Sequence, residues 1–101
     1  MRISVYVAAV AIAIANVSVV QAGDPAAAET QAKTLCGSCH GPTGVSTNPL
    51  WPNLAGQQEQ YLAKAMTDYR DGNRSDPTMA PIAKMLNDTQ IQDLAAYYTG
   101  L

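Results

Sequence analysis

Cys36-Gly37-Ser38-Cys39-His40 is the stretch on which the reading of this chain turns. It sets two thiols three residues apart, with the only imidazole of the chain directly behind the second. Upstream, Asp24-Pro25 is a helix start: an acceptor at the cap, then proline where an N–H would go unpaired anyway. Ala28, Ala32, Leu35 and Cys36 recur at helical spacing, so this helix should run its apolar face straight into the two cysteines. Downstream, residues 41–56 hold three glycines and three prolines, too many for a regular element. A second helix is expected from about Gln57 to Asp71, with Tyr61, Leu62, Ala65, Met66 and Tyr69 as its apolar stripe and Gly72 as its stop. Asn73–Pro81 reads as an extended connection and Ile82–Leu86 as a short helical turn. Asn87 with Gln90 forms a capping-box pair that opens the last helix, whose inner face is Ile91, Leu94, Ala95 and Tyr98 and whose end is Gly100. No stretch alternates with period two, so the expected class is all-α, three main helices joined by Pro/Gly-rich loops.

Composition sharpens this. The chain has 101 residues, 48% of them hydrophobic, but seventeen of the apolar residues fall within residues 1–22. Gly23–Leu101 keeps thirty-one, of which eleven are alanine and none is phenylalanine. A body of this size usually needs a staple beside its core, and here something must supplement it. Net charge is −2, and beyond the first residues the basic side chains are Lys33, Lys64, Arg70, Arg74 and Lys84, scattered without a run. That excludes nucleic acid as a partner, because phosphate binding needs clustered positive charge.

The first segment reads as an address. Arg2 precedes an uncharged run from Ile3 to Val20, and Val20-Gln21-Ala22 puts small residues where a signal peptidase reads. Residues 1–22 are therefore expected to be a signal peptide cleaved after Ala22, residues 23–101 the mature domain, and the periplasm its destination. Membrane attachment would follow only from an uncleaved leader, since the run approaches spanning length.

The chemistry comes from spacing. C-x-x-C-H is the attachment signature for a c-type haem: two thiols can form thioethers to vinyl groups, and the adjacent imidazole can ligate the iron. Gly37 would relieve crowding where the backbone runs against the macrocycle. A thioredoxin-like pair would need a strand before the motif, a structural zinc site would need four ligands, and a disulfide would leave His40 without a role. One covalent haem c on Cys36 and Cys39, with His40 on the iron, is the reading that uses every residue. With no second histidine, the other axial ligand comes from Met66, Met79 or Met85. Met66 and Met85 sit on apolar faces as core fillers, whereas Met79 lies in the proline-flanked stretch Asp76-Pro77-Thr78-Met79-Ala80-Pro81.

These residues, with Pro52-Asn53-Leu54-Ala55-Gly56-Gln57, Tyr69-Arg70-Asp71-Gly72-Asn73-Arg74, Met79-Ala80-Pro81 and Leu94-Ala95-Ala96-Tyr97-Tyr98, resemble the small bacterial class I cytochromes c over Gly23–Leu101. In particular the chain is similar to one half of the dihaem periplasmic cytochromes and to the haem subunit of some flavocytochromes. The resemblance implies a cytochrome c fold wrapped around the haem, His40 and Met79 as axial ligands, and Leu54 in the haem pocket. It implies a crossing of the first and last helices near the haem edge, with Tyr97 in the contact. It also implies a proline carbonyl that accepts the imidazole Nδ1–H, for which both Pro49 and Pro52 qualify. The function it implies is single-electron transfer between redox protein donors and acceptors, with no small-molecule substrate and no catalysis by the chain itself. The alternative is a haem-bearing subunit of a larger oxidoreductase, such as a sulfide-oxidising flavocytochrome c.

Overall fold

The computed structural model describes residues 1–15 and 23–101, so the expected cleavage signal Val20-Gln21-Ala22 lies outside the described residues. Residues 1–15 form no helix or strand and are exposed. The body consists of helices α1 (Pro25–Gln31), α2 (Gly37–His40), α3 (Glu59–Asp71), α4 (Met79–Ala83) and α5 (Asp88–Thr99). No strand occurs among the described residues, as the all-α reading expects.

Asp24 caps α1 as its sequence demands, its side chain accepting from Ala26 N at 3.0 Å. The helix does not run straight into the motif. Between α1 and α2, Ala32–Cys36 forms a wider π turn in which Gly37 N–H bonds Ala32 O. Thr34 supplies a local reason: its hydroxyl donates to Thr30 O at 2.9 Å, competing for a carbonyl of the helix ladder. One extra residue in a turn rotates the downstream helix by about 100°, so α2 presents its side chains on a different face from α1.

The last helix matches its signals closely. Gln90 N–H bonds Asn87 Oδ1 at 2.8 Å and Gln90 Oε1 accepts from Asn87 N at 2.9 Å, closing the capping box. Ile91, Leu94, Ala95 and Tyr98 are buried, and α5 packs against both α1 and α3. The shared core adds Ala28, Ala32, Leu62 and Leu86. Among the described residues only Ile91 and Leu94 are large side chains buried completely, which is the thin core the composition implied. Arg70 ties the end of α3 to the start of α5, donating to Asp71 at 2.9 Å, to Asp88 at 2.7 Å and to Leu86 O at 3.5 Å.

Residues 73–86 depart from the reading. The extended connection stops short: Met79–Ala83 is α4, and no helix covers Lys84–Leu86. Asp76 anchors the residues just before the helix, whose N-cap is Thr78 with no side-chain cap bond. Asp76 Oδ1 accepts from Thr78 N at 2.9 Å and Met79 N at 2.8 Å, and Asp76 O takes Ala80 N at 3.1 Å. Pro81 therefore falls in a first turn, where a missing N–H is tolerated, and does not break the helix. Met85 is 60% exposed and does not fill the core; Leu86 does.

Candidate functional site

The two sulfurs of the motif are free thiols, both half-buried. Cys36 closes the π turn and Cys39 sits in α2. Burial pushes the Cys36 thiol above its ordinary value, with the nearby Tyr98 hydroxyl working weakly against it. That is the opposite of the electropositive setting that activates a redox C-x-x-C pair, so the environment argues against thiol-disulfide chemistry.

His40 is the one buried polar residue among the described residues, 6% exposed. Its Nδ1 lies 2.7 Å from Pro52 O. A carbonyl can only accept, so Nδ1 carries a proton, and Nε2 is the nitrogen left to serve as a ligand. Of the two prolines, Pro52 makes this bond, while Pro49 is exposed and has no contact with the ring. The loop that brings Pro52 to His40 is built on backbone bonds. Gly41 turns the chain with φ 85°, and Gly44 N–H returns to Gly41 O at 3.1 Å. Gly44 O then accepts from Leu54 N at 2.8 Å and Ala55 N at 3.0 Å, closing the loop behind Pro52. Ser46 adds side-chain ties, its hydroxyl donating to Asn48 O at 2.9 Å and its N–H to Asn53 Oδ1 at 2.7 Å. A Cβ on Gly41 would stand 2.0 Å from Val45 O, so the loop admits only glycine there. At Gly37, by contrast, a Cβ would meet nothing closer than Ala32 O at 3.6 Å, so packing within the chain makes no demand for glycine.

Leu54 is half-buried and packs against the core cluster, as does Cys36. Met79 is half-buried at the first position of α4. It is thus on a helix and not on an extended strap, and its backbone N–H is held by Asp76 Oδ1 at 2.8 Å. Met66 packs on the core and Met85 faces solvent. Tyr97 is half-buried and meets Tyr98 edge-on at 5.1 Å, while Tyr98 reaches the first helical segment, its hydroxyl donating to Ala32 O at 3.4 Å.

The donor set fits a covalent haem on its chemistry: two unpaired thiols at C-x-x-C spacing, and an imidazole whose second nitrogen is already committed to a carbonyl, as in most metal-ligating histidines. Sequence reasoning missed Asp76-Pro77, Gly41, Gly44 and the Tyr98 hydroxyl. Only the first had a local signal, and it stood in plain view as a second Asp-Pro.

Comparison with known proteins places this geometry. A family model described as Cytochrome c matches residues 25–100. Cytochrome c4 of Thiocapsa roseopersicina is 46% identical over 78 residues, covering 77% of this chain and 40% of that protein. Cytochrome c-554(548) of Halomonas halodenitrificans is 44% identical over 82 residues, covering 78% of this chain and 98% of that protein. Among solved structures, the cytochrome c4 of Acidithiobacillus ferrooxidans superposes with a TM-score of 0.74 at 28% identity, over 83% of this chain and 53% of that one. The chain therefore spans about two-fifths to half the length of the cytochrome c4 relatives it matches.

Proposed function

The chain belongs to the cytochrome c family, and we propose that it is an exported single-haem electron carrier that serves enzymes and is not one itself. The observation that carries this reading is the His40 imidazole, buried and oriented through Pro52 O immediately behind two free thiols. Haem supplies, when bound, a one-electron ferric/ferrous couple.

Everything else is done by the chain. Cys36 and Cys39 hold the group covalently, and Pro52 fixes the tautomer and plane of His40, leaving Nε2 free for the iron. Met79 offers the second ligand, a thioether on a backbone anchored by Asp76. A thioether ligand favours the reduced iron and raises the potential relative to a second imidazole. Leu54, partly buried against the core, serves to keep water from the pocket. No proton has to move, which suits a site whose one buried polar side chain is already hydrogen-bonded.

Residues 1–22 serve as a cleaved leader, and the mature domain works in the periplasm between redox protein partners. The start of the family match at residue 25 supports this boundary, and the Halomonas relative is a precedent for a single unit of this length. No helix among the described residues is long and apolar enough to cross a membrane.

Intact mass and absorption spectra of the exported protein test the reading together. The expected result is the mass of Gly23–Leu101 plus one haem, and a reduced protein that does not bind carbon monoxide at neutral pH. Ready carbon monoxide binding would remove Met79 from the iron. Size exclusion of the native extract addresses the free carrier: constant-ratio co-elution with a flavoprotein would make the chain an enzyme subunit.

A further inference from the structure

Gly23 lies half-buried although it precedes the first helix, because its backbone is seated on α5. A Cβ at this position would stand 2.1 Å from Gln92 O and 3.0 Å from Asp93 N, so no side chain fits there. Its φ is not in the left-handed region, so contact with α5, and not backbone conformation, demands glycine. The next residue is tied to the same helix, Asp24 N–H donating to Asp93 Oδ1 at 2.8 Å. One residue separates the two backbone nitrogens, so Gly23 N is at most about 7 Å from that carboxylate oxygen. Gly23, Asp24, Asp88 and Asp93 line one cleft of about 360 Å³, and no basic side chain lines it. Arg70 meets Asp88 at 2.7 Å, whereas among the described residues no basic side chain pairs with Asp24 or Asp93.

We propose that leader cleavage completes the fold at this corner: the new Gly23 ammonium is set against the Asp93 carboxylate and the Gln92 carbonyl, and fastens the start of α1 to α5. This rests on cleavage after Ala22 and concerns the folded, haem-bearing domain. In the step itself, water divides the Ala22–Gly23 peptide bond, the carboxylate stays with Ala22 and the amine with Gly23, and nothing is oxidised or reduced. Before it, Gly23 N is a neutral amide with one N–H; after it, the same seat holds a positive charge with three. α1 leads to Cys36 and His40, so the tie holds the far end of the arm that carries the attachment motif. The charged groups that face the amine are Asp24 on the α1 side, and Asp93 and the Arg70-paired Asp88 on the α5 side. A free α-amine titrates near about 7.7–8.0. Beside these carboxylates it keeps its proton to higher pH in the folded chain. The added stability is therefore complete below the ordinary value and is lost as pH rises through the raised one.

The test uses the exported haem-bearing protein, part of it acetylated at the Gly23 amine under mildly acidic conditions and purified as the singly modified chain. The acetyl amide reproduces the neutral nitrogen of the precursor. Guanidinium unfolding of the free-amine and acetylated proteins is compared at pH 6.5 and at pH 10. At pH 6.5 the acetylated protein should show an unfolding equilibrium constant about two- to fivefold larger, the range of an exposed ion pair. At pH 10, where the free amine is neutral as well, the two should agree. Asp93→Asn keeps an acceptor for Asp24 N–H and removes only the charge, so in that variant acetylation should cost little at either pH. Equal stability of the two proteins at pH 6.5 would overturn the proposal. So would an acetylation cost that persists at pH 10 or in Asp93→Asn, because bulk and not charge would then be its cause. An intact mass that does not begin at Gly23 would remove the cleavage reading and this proposal with it, and that failure is seen before any unfolding is measured.

Discussion

The same Asp-Pro pair precedes two helices, Asp24-Pro25 directly at the start of α1 and Asp76-Pro77 two residues before α4, and the two arms are held in different ways. On the histidine arm, the Asp24 side chain caps α1 while its own N–H donates to Asp93 Oδ1 on α5 at 2.8 Å. Ala28 and Ala32 are buried against α5, and the arm ends in a buried His40 fastened to Pro52. On the methionine arm, the Asp76 carboxylate holds the N–H groups of Thr78 and Met79, and those bonds keep its carboxyl below the usual range. That helix is five residues long, and Met79 is only half-buried. The same dipeptide thus precedes both helices, but firmness comes from what each arm packs on. The chain orients its histidine by itself, whereas the methionine side rests on the Asp76 carboxylate alone.

The largest expected effect removes what both arms share. Replacing Cys36 and Cys39 together by alanine should abolish the cooperative thermal transition of the 23–101 domain, because Ile91 and Leu94 alone supply large, fully buried side chains. A sharp, native-like melt followed by circular dichroism would break this account of the core. Next in size, Leu94→Ala in the haem-bearing protein should cost about 2–5 kcal/mol in denaturant unfolding. It should weaken both arms equally, since Leu94 belongs to the common core.

Gly41→Ala should act on the histidine arm alone. The φ of 85° and the Val45 O at 2.0 Å both oppose a side chain, for a loss of about 1–3 kcal/mol in unfolding free energy. The methionine–iron absorption should persist until the whole domain unfolds; its early disappearance would mean that the two arms are not separable.

The smallest effect belongs to Asp76, which holds Thr78 N and Met79 N. Its carboxyl titrates lower in the folded chain than the ordinary 3.8, so it contributes stability above that value and loses it as pH falls through the depressed one. Acidification below about pH 4 should therefore weaken the methionine–iron signal before the domain unfolds. Asp76→Asn keeps an acceptor and should remove this acid step, whereas Asp76→Ala should loosen the signal at every pH. An acid step that survives in Asp76→Asn would assign it to another group.

The residues in order disclose whatever chemistry lies within a few positions. Cys36-Gly37-Ser38-Cys39-His40, the Asp24 cap and the Asn87–Gln90 box lie within a turn or two of chain, and the inner face of α5 shows in its helical spacing. The start of α4 is equally local, but Pro81 masks it, because a proline reads as a breaker until its place in the first turn is known. The rest depends on residues far apart in the chain. The choice of Pro52 over Pro49 waits on a loop closed by Gly41 and Gly44. The pairing of the Tyr98 hydroxyl with Ala32 O spans sixty-six residues. Spacing along the sequence determines which groups can act together within one helical turn. Which carbonyl finds the imidazole, and which hydroxyl finds the cysteine turn, is decided only when packing brings them within the ~3 Å over which a hydrogen bond operates.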